Sequence, residues 1–144
     1  MGIIHIQPQG SSGVHDIARV KVVFECFEQG KLLFADQVPN DDPQKEVLVN
    51  YIADYEAIHG EGTMSTFGGH LYDALSMIVI ALEDLDEGLS TAEARAQIRD
   101  NIENITEFAG TGGVFTMSAD NHLGMAPGSL GMIKIVDGEW TLAP

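Results

Sequence analysis

Few side chains in this sequence are spaced for covalent chemistry. His70 and Asp73 stand i, i+3 on a predicted helix, where an imidazole and a carboxylate can meet and share a proton. A local hydrogen bond is the commoner outcome of that spacing. The five histidines, His5, His15, His59, His70 and His122, are too scattered to build a metal-binding face. There is no G-x-S-x-G, H-E-x-x-H or C-x-x-C. Gly110-Thr111-Gly112-Gly113 has the glycines of a phosphate cradle, but such loops open a helix, and Val114-Phe115 predicts a strand. The chain therefore reads as a non-enzyme, with no catalytic residue, metal or cofactor expected.

Non-covalent recognition has more to work with. Gln7-Pro8-Gln9-Gly10 follows an apolar run, Ile3 to Gln7, that predicts a buried strand. Open α/β sheets hold ligands in crevices at the carboxyl ends of strands, and glutamine both donates and accepts hydrogen bonds. On spacing alone this is an ordinary loop. Phe67, just before Gly68-Gly69, can close over an apolar ligand group; the plainer reading places it in the core or in a staple at a helix start. Gln9, Phe67, Gln7 and Gly10 are the candidate ligand-binding residues.

The elements that must position them follow from periodicity. A short helix is predicted over Val14 to Val22, a strand over Glu25 to Phe27, and extended chain over Lys31 to Val38. Asn40-Asp41-Asp42-Pro43 signals a helix start. That helix runs to His59 with Val47, Leu48, Tyr51, Ile52, Tyr55 and Ile58 on one face. A second helix spans about Phe67 to Leu85, apolar on nearly every side from Leu75 to Leu82. A third opens on Ser90 and Glu93 as a capping box, burying Ala94, Ile98, Ile102 and Ile105. A strand over Val114 to Met117 and a hairpin of Leu130 to Val136 and Glu139 to Ala143 end the chain, with Asp137-Gly138 as a type I′ turn. Three helices with few central strands to cover call for a sheet from elsewhere. Failing that, the strands near Ile3, Cys26, Val114 and Ile133 gather into one mixed sheet.

Composition limits the function classes. At 144 residues and 44% hydrophobic, the chain is long enough for one domain with a core. Seven basic against 22 acidic residues give a formal charge of -15, a field that repels nucleic acid. The single cysteine, Cys26, excludes an internal disulfide. No positively charged leader precedes Ile3, so the chain as it stands is expected to remain cytoplasmic.

Several segments carry a resemblance. Ser65-Thr66-Phe67-Gly68-Gly69-His70-Leu71-Tyr72-Asp73-Ala74, Asp42-Pro43-Gln44-Lys45, Gly30 to Pro39, Gly110 to Phe115 and Asp120 to Gly124 are together similar to solute-binding proteins of branched-chain amino-acid ABC transporters, the leucine-binding protein-like family. The resemblance implies an α/β fold of periplasmic-binding-protein type I, with two Rossmann-like lobes, present here incompletely as the C-terminal portion. Residues 1–39 would belong to the second lobe, 40–112 would be the helical segment of the first, and 113–144 would return to the second as a strand and hairpin. Gln9 would face a ligand ammonium group and Phe67 its side chain. The implied role is amino-acid binding for uptake in the periplasm, with an ABC-transporter permease as partner. The first lobe's serine and threonine donors to the ligand carboxylate would precede Met1. Val20-Lys21-Val22-Val23-Phe24 departs from the small residues usual before the second strand. The alternative is a standalone α/β oligomeric interaction module. In either case the unmatched helix surface from Leu71 to Leu85 predicts a homodimer of the isolated chain.

Overall fold

The computed structural model describes residues 25–27 and 30–142. The predicted strand at Ile3 to Gln7, the helix at Val14 to Val22, and the candidates Gln7, Gln9 and Gly10 lie outside them. The element order is β1 (Glu25–Phe27), α1 (Gly30–Leu33), α2 (Lys45–His59), α3 (Thr66–Glu83), α4 (Thr91–Glu103), β2 (Phe108–Ala109), β3 (Val114–Phe115), β4 (Gly131–Val136) and β5 (Glu139–Leu142).

The stretch predicted as extended between Lys31 and Val38 is instead helix α1 followed by turns, with Gln37 N donating to Phe34 O at 2.9 Å. The reason is in its apolar spacing. Leu32, Ala35 and Val38 recur every three residues, and all three are buried, whereas Leu33 is exposed. A strand would have put Leu32 and Ala35 on opposite faces. These residues form the main core with Leu48 and Tyr51 of α2, and Ile52, Tyr55, Met64 and Leu142 pack around it. Ile58, predicted on the inner face of α2, is 79% exposed, since it sits in the last turn beyond this cluster.

The start of α2 is fixed by Asp42. Its carboxylate accepts from Gln44 N at 2.9 Å and from Lys31 Nζ at 2.7 Å, tying the helix start to α1. Partial burial pushes the Asp42 carboxyl up, but the bonds from Lys31 and Gln44 and the Lys31 charge outweigh it and hold the pKa below the ordinary value.

Helix α3 has its polarity reversed. Gly69, Asp73 and Ala81 are buried at four- and eight-residue spacings, with Met77 half-buried between them. Asn101 of α4 donates Nδ2 to Ala81 O at 2.9 Å on this side. Phe67, Leu71, Leu75, Ile78, Val79 and Leu82 are exposed, and their spacing sets them along one continuous stripe. Small and polar residues thus face the protein while large apolar ones face outward. A fully exposed Leu or Ile forgoes roughly 1.5–3 kcal/mol of burial, and these, 41–62% exposed, forgo about half of that each.

Helix α4 has the predicted capping box, Ser90 N donating to Glu93 Oε2 at 2.9 Å and Glu93 N to Ser90 Oγ at 3.4 Å. It does not bury the predicted face. Ala94, Ile98 and Ile102 are half-buried, and Ile105 is buried only beyond the helix end. The α3 side it packs on is small, so α4 gains little cover.

Two small antiparallel sheets complete the described residues. One has the order β1-β4-β5, with Cys26 opposite Met132 and Ile135 opposite Trp140. Asp137 and Gly138 both take positive φ (52° and 90°), as a type I′ turn requires. The other pairs β3 with β2, a strand the sequence pattern did not suggest. The strand predicted to reach Met117 stops at Phe115. The Cys26 and Ile133 strands share a sheet, but Val114 is in the other, so a single mixed sheet does not form among the described residues. At the outer strand β5, Gln37 Oε1 accepts from Leu142 N and from Thr141 Oγ1, each at 3.0 Å.

Two outcomes follow from this packing. The isolated chain should bind an environment-sensitive apolar dye, and Leu71→Gln with Leu75→Gln should reduce that binding without lowering Tm, because neither side chain is in a core. The Asp42 carboxyl has a lowered pKa when folded, so its stabilising contribution is present above the ordinary carboxylate range. That contribution should be lost as pH falls through the ordinary carboxylate range to the lower folded value. Urea unfolding of wild type and Asp42→Asn from pH 7 to pH 3 should therefore show the two stabilities converging.

Candidate functional site

The first turn of α3 is built from glycine and tyrosine. Ser65 occupies the N-cap in extended conformation, and its carbonyl accepts from Tyr51 Oη at 2.8 Å. A Cβ on Gly68 would come within 2.3 Å of that hydroxyl, so only glycine permits α2 and α3 to approach this closely. Tyr51 also lies against Tyr55 and Tyr72, with ring centroids 5.7 and 5.3 Å apart. Burial, then the neighbouring Tyr55 and Asp73, push the Tyr51 phenol pKa up, keeping it a hydrogen-bond donor.

Phe67 stands on this rigid base as the second residue of α3, 83% exposed. It is neither in the core nor stapled, and is presented outward at one end of the apolar stripe. The chemistry available at this ledge is stacking and apolar contact.

Nearly two turns further along, Asp73 is buried. Its carboxylate accepts three hydrogen bonds from the 110–113 turn: Thr111 N at 2.7 Å, Thr111 Oγ1 at 3.1 Å and Gly112 N at 2.8 Å. Gly110-Thr111-Gly112-Gly113 thus cradles an anion after all, but the anion is the protein's own. A phosphate would have to displace it. A Cβ on Gly110 would fall 2.7 Å from Asp73 Cγ, so glycine is again required. The turn is closed by Gly110 N donating to Gly113 O at 2.8 Å, and Gln44 Nε2 donates to Gly110 O at 2.9 Å. Gln44 Oε1 is buried without a partner among the described residues.

The contemplated His70–Asp73 pair does not form. Asp73 turns inward to the 110–113 turn, while His70 is exposed, its Nδ1 3.7 Å from where a Gly112 Cβ would lie. Periodicity alone missed Gln44, Tyr51 and Thr111 as the supports of this region. One signal was available: an aspartate inside an apolar helix must find donors, and a Gly-Thr-Gly-Gly run supplies free amides.

Comparison with known proteins bears on the fold. No protein-family model matches the chain, and no curated protein does. Among solved structures, an extracellular ligand-binding receptor from Rhodopseudomonas palustris HaA2 is similar, with 30% identity and a TM-score of 0.71 over 83% of this chain and 33% of that one. A second extracellular ligand-binding receptor from the same strain shares 21% identity at a TM-score of 0.65, over 80% of this chain and 33% of its own. A protein of R. palustris strain CGA009 shares 20% identity at 0.69, over 80% and 33%. The last two likenesses concern the fold alone. The α/β fold is that of part of such receptors, and the chain spans about a third of the length of the structures it matches.

Asp73→Ala should strand three buried donors and lower the unfolding free energy by about 3 kcal/mol. Gly110→Ala should cost about 1–3 kcal/mol by driving a methyl into the same carboxylate. Chemical denaturation of each variant and of the pair checks this, and the pair should be less than additive, because both act on one contact.

Proposed function

We propose that this chain is the C-terminal portion of a periplasmic-type binding protein that captures an amino acid, branched-chain or related, for uptake through an ABC transporter. The observation that carries the reading is the 30% identity to an extracellular ligand-binding receptor over 83% of this chain but only a third of that receptor. The exposed placement of Phe67 agrees with it: an aromatic held on a glycine-tyrosine base and covered by nothing in the described residues suits contact with an apolar ligand group. Gln9, with Gln7 and Gly10, would supply polar contacts from the second lobe. Residues 40–112 would pack their α3 stripe on the first lobe, and residues 1–39 and 113–144 would complete the second. No step of this role is chemical. Affinity comes from two lobes closing on the ligand, a hinge motion stabilised by contacts to both. The permease of the transporter is the implied partner, and the periplasm the implied location.

A second reading, an oligomeric interaction module, is favoured by one observation, the exposed stripe from Phe67 to Leu82. Under it, two copies of this chain would pair their α3 helices.

The two readings separate in solution. With a panel of amino acids, calorimetry on the isolated chain should give a Kd of about 1 mM or weaker, since half a cleft makes half the contacts. A polypeptide joined to a lobe-sized upstream reading frame should bind micromolar or tighter, and Phe67→Ala or Gln9→Ala should weaken it at least tenfold. Micromolar binding by the isolated monomer would contradict the missing-lobe premise. An unrelated upstream gene, with a stable dimer by sedimentation, would favour the module.

A further inference from the structure

Away from α3, a groove of about 350 Å³ runs along α4 to the segment following β3. Its floor is apolar, formed by Ile98, Ile102 and Met117, and Arg95, Arg99 and His122 stand around it. No α3 residue lines it, so it is distinct from both the Phe67 ledge and the exposed stripe.

The distribution of charge sets this groove apart. The chain carries -15 overall and has three arginines, Arg19, Arg95 and Arg99, so two of the three converge here. They are four residues apart on α4, and so neighbours along one helix side. Arg99 is already bridged to Asp100, which raises its pKa through a hydrogen bond and charge and keeps it cationic. Arg95 makes no ion pair among the described residues. At the other end, His122 Nε2 lies 2.9 Å from Glu103 Oε1, so that end already carries a carboxylate and repels a second. The groove therefore has Arg95 at one end with the Arg99–Asp100 ion pair beside it, an acid at the Glu103 end, and aliphatic and thioether surface between them.

We infer that this groove binds a small aliphatic carboxylate. The head would engage Arg95, in the fork geometry by which guanidinium holds carboxylate, with Arg99 beside it. The tail would cover Ile98, Ile102 and Met117. The volume lies at the lower end of the range for small-molecule sites, which sets the ligand size. An apolar tail is needed because the global field disfavours anions, and a short carboxylate such as acetate would gain nothing to offset it.

Octanoate, below its micellar concentration, is the probe, followed by amide shifts in the NMR spectrum of the full chain. Saturable shifts confined to residues around Ile98, Ile102 and Met117 are expected, with a Kd of about 1 mM. Octanol should bind at least fivefold more weakly, and Arg95→Gln with Arg99→Gln should weaken octanoate at least tenfold while leaving the spectrum of α3 unchanged. Arg95→Glu alone, an exposed change compatible with folding, should abolish binding. Equal affinity for octanol, insensitivity to the arginine variants, or shifts on the α3 stripe instead would each overturn the proposal. So would a glutamate- and leucine-rich peptide that occupies the groove when octanoate does not, since the occupant would then be a protein.

Discussion

The Asp73 carboxylate is the point through which the described part of the molecule is tied together. It belongs to α3, takes its donors from a turn nearly forty residues later, and that turn is in turn bonded by Gln44 at the start of α2. Ionised carboxylates are seldom buried, because withdrawing one from water costs several kcal/mol. Here two backbone amides and a hydroxyl replace that water. The arrangement is all or nothing: removing any member leaves the others buried and unsatisfied. It also fixes geometry. With Asp73 held, the rotation of α3 about its axis is set, and Phe67 and the apolar stripe must face outward.

Much of this was legible in the sequence, and the failures have physical causes. The capping box of Ser90 and Glu93, the type I′ turn at Asp137-Gly138, and the three long helices all arise from local interactions that sequence records directly. The chain from Lys31 to Val38 was misread because a run of apolar residues suits strand and helix alike; only the burial of Leu32, Ala35 and Val38 together decides it. Ile58, and the α4 face of Ala94, Ile98 and Ile102, were expected inside because periodicity marks which residues share a face but not what lies opposite. At the site, Phe67 stood out from its company of glycines. The region behind it was harder to read, since Tyr51 bonds Ser65, Thr111 bonds Asp73 and Gln44 bonds Gly110 only across contacts distant in sequence.

The α3 helix shows how far an apolar pattern can mislead about direction. An amphipathic helix normally turns its large apolar residues inward. Here the inward side is Gly69, Asp73 and Ala81, chosen for closeness and hydrogen bonding, while the bulk faces out. A helix with both sides suited to contact belongs between two layers, in keeping with a chain that covers a third of the structures it resembles. The groove on α4 differs in kind, being largely apolar with charged groups of both signs at its ends.

The bond between Gln37 and β5 bears on how this chain meets others. A strand at the border of a sheet offers unpaired amides that another chain can extend, which is how strand-addition complexes and aggregates begin. At Leu142 that amide is already taken by a side chain from the segment after α1. The border is thereby blunted at that position by an intramolecular mimic of a neighbouring strand's carbonyl. Association through a continuous backbone ladder is disfavoured at that position.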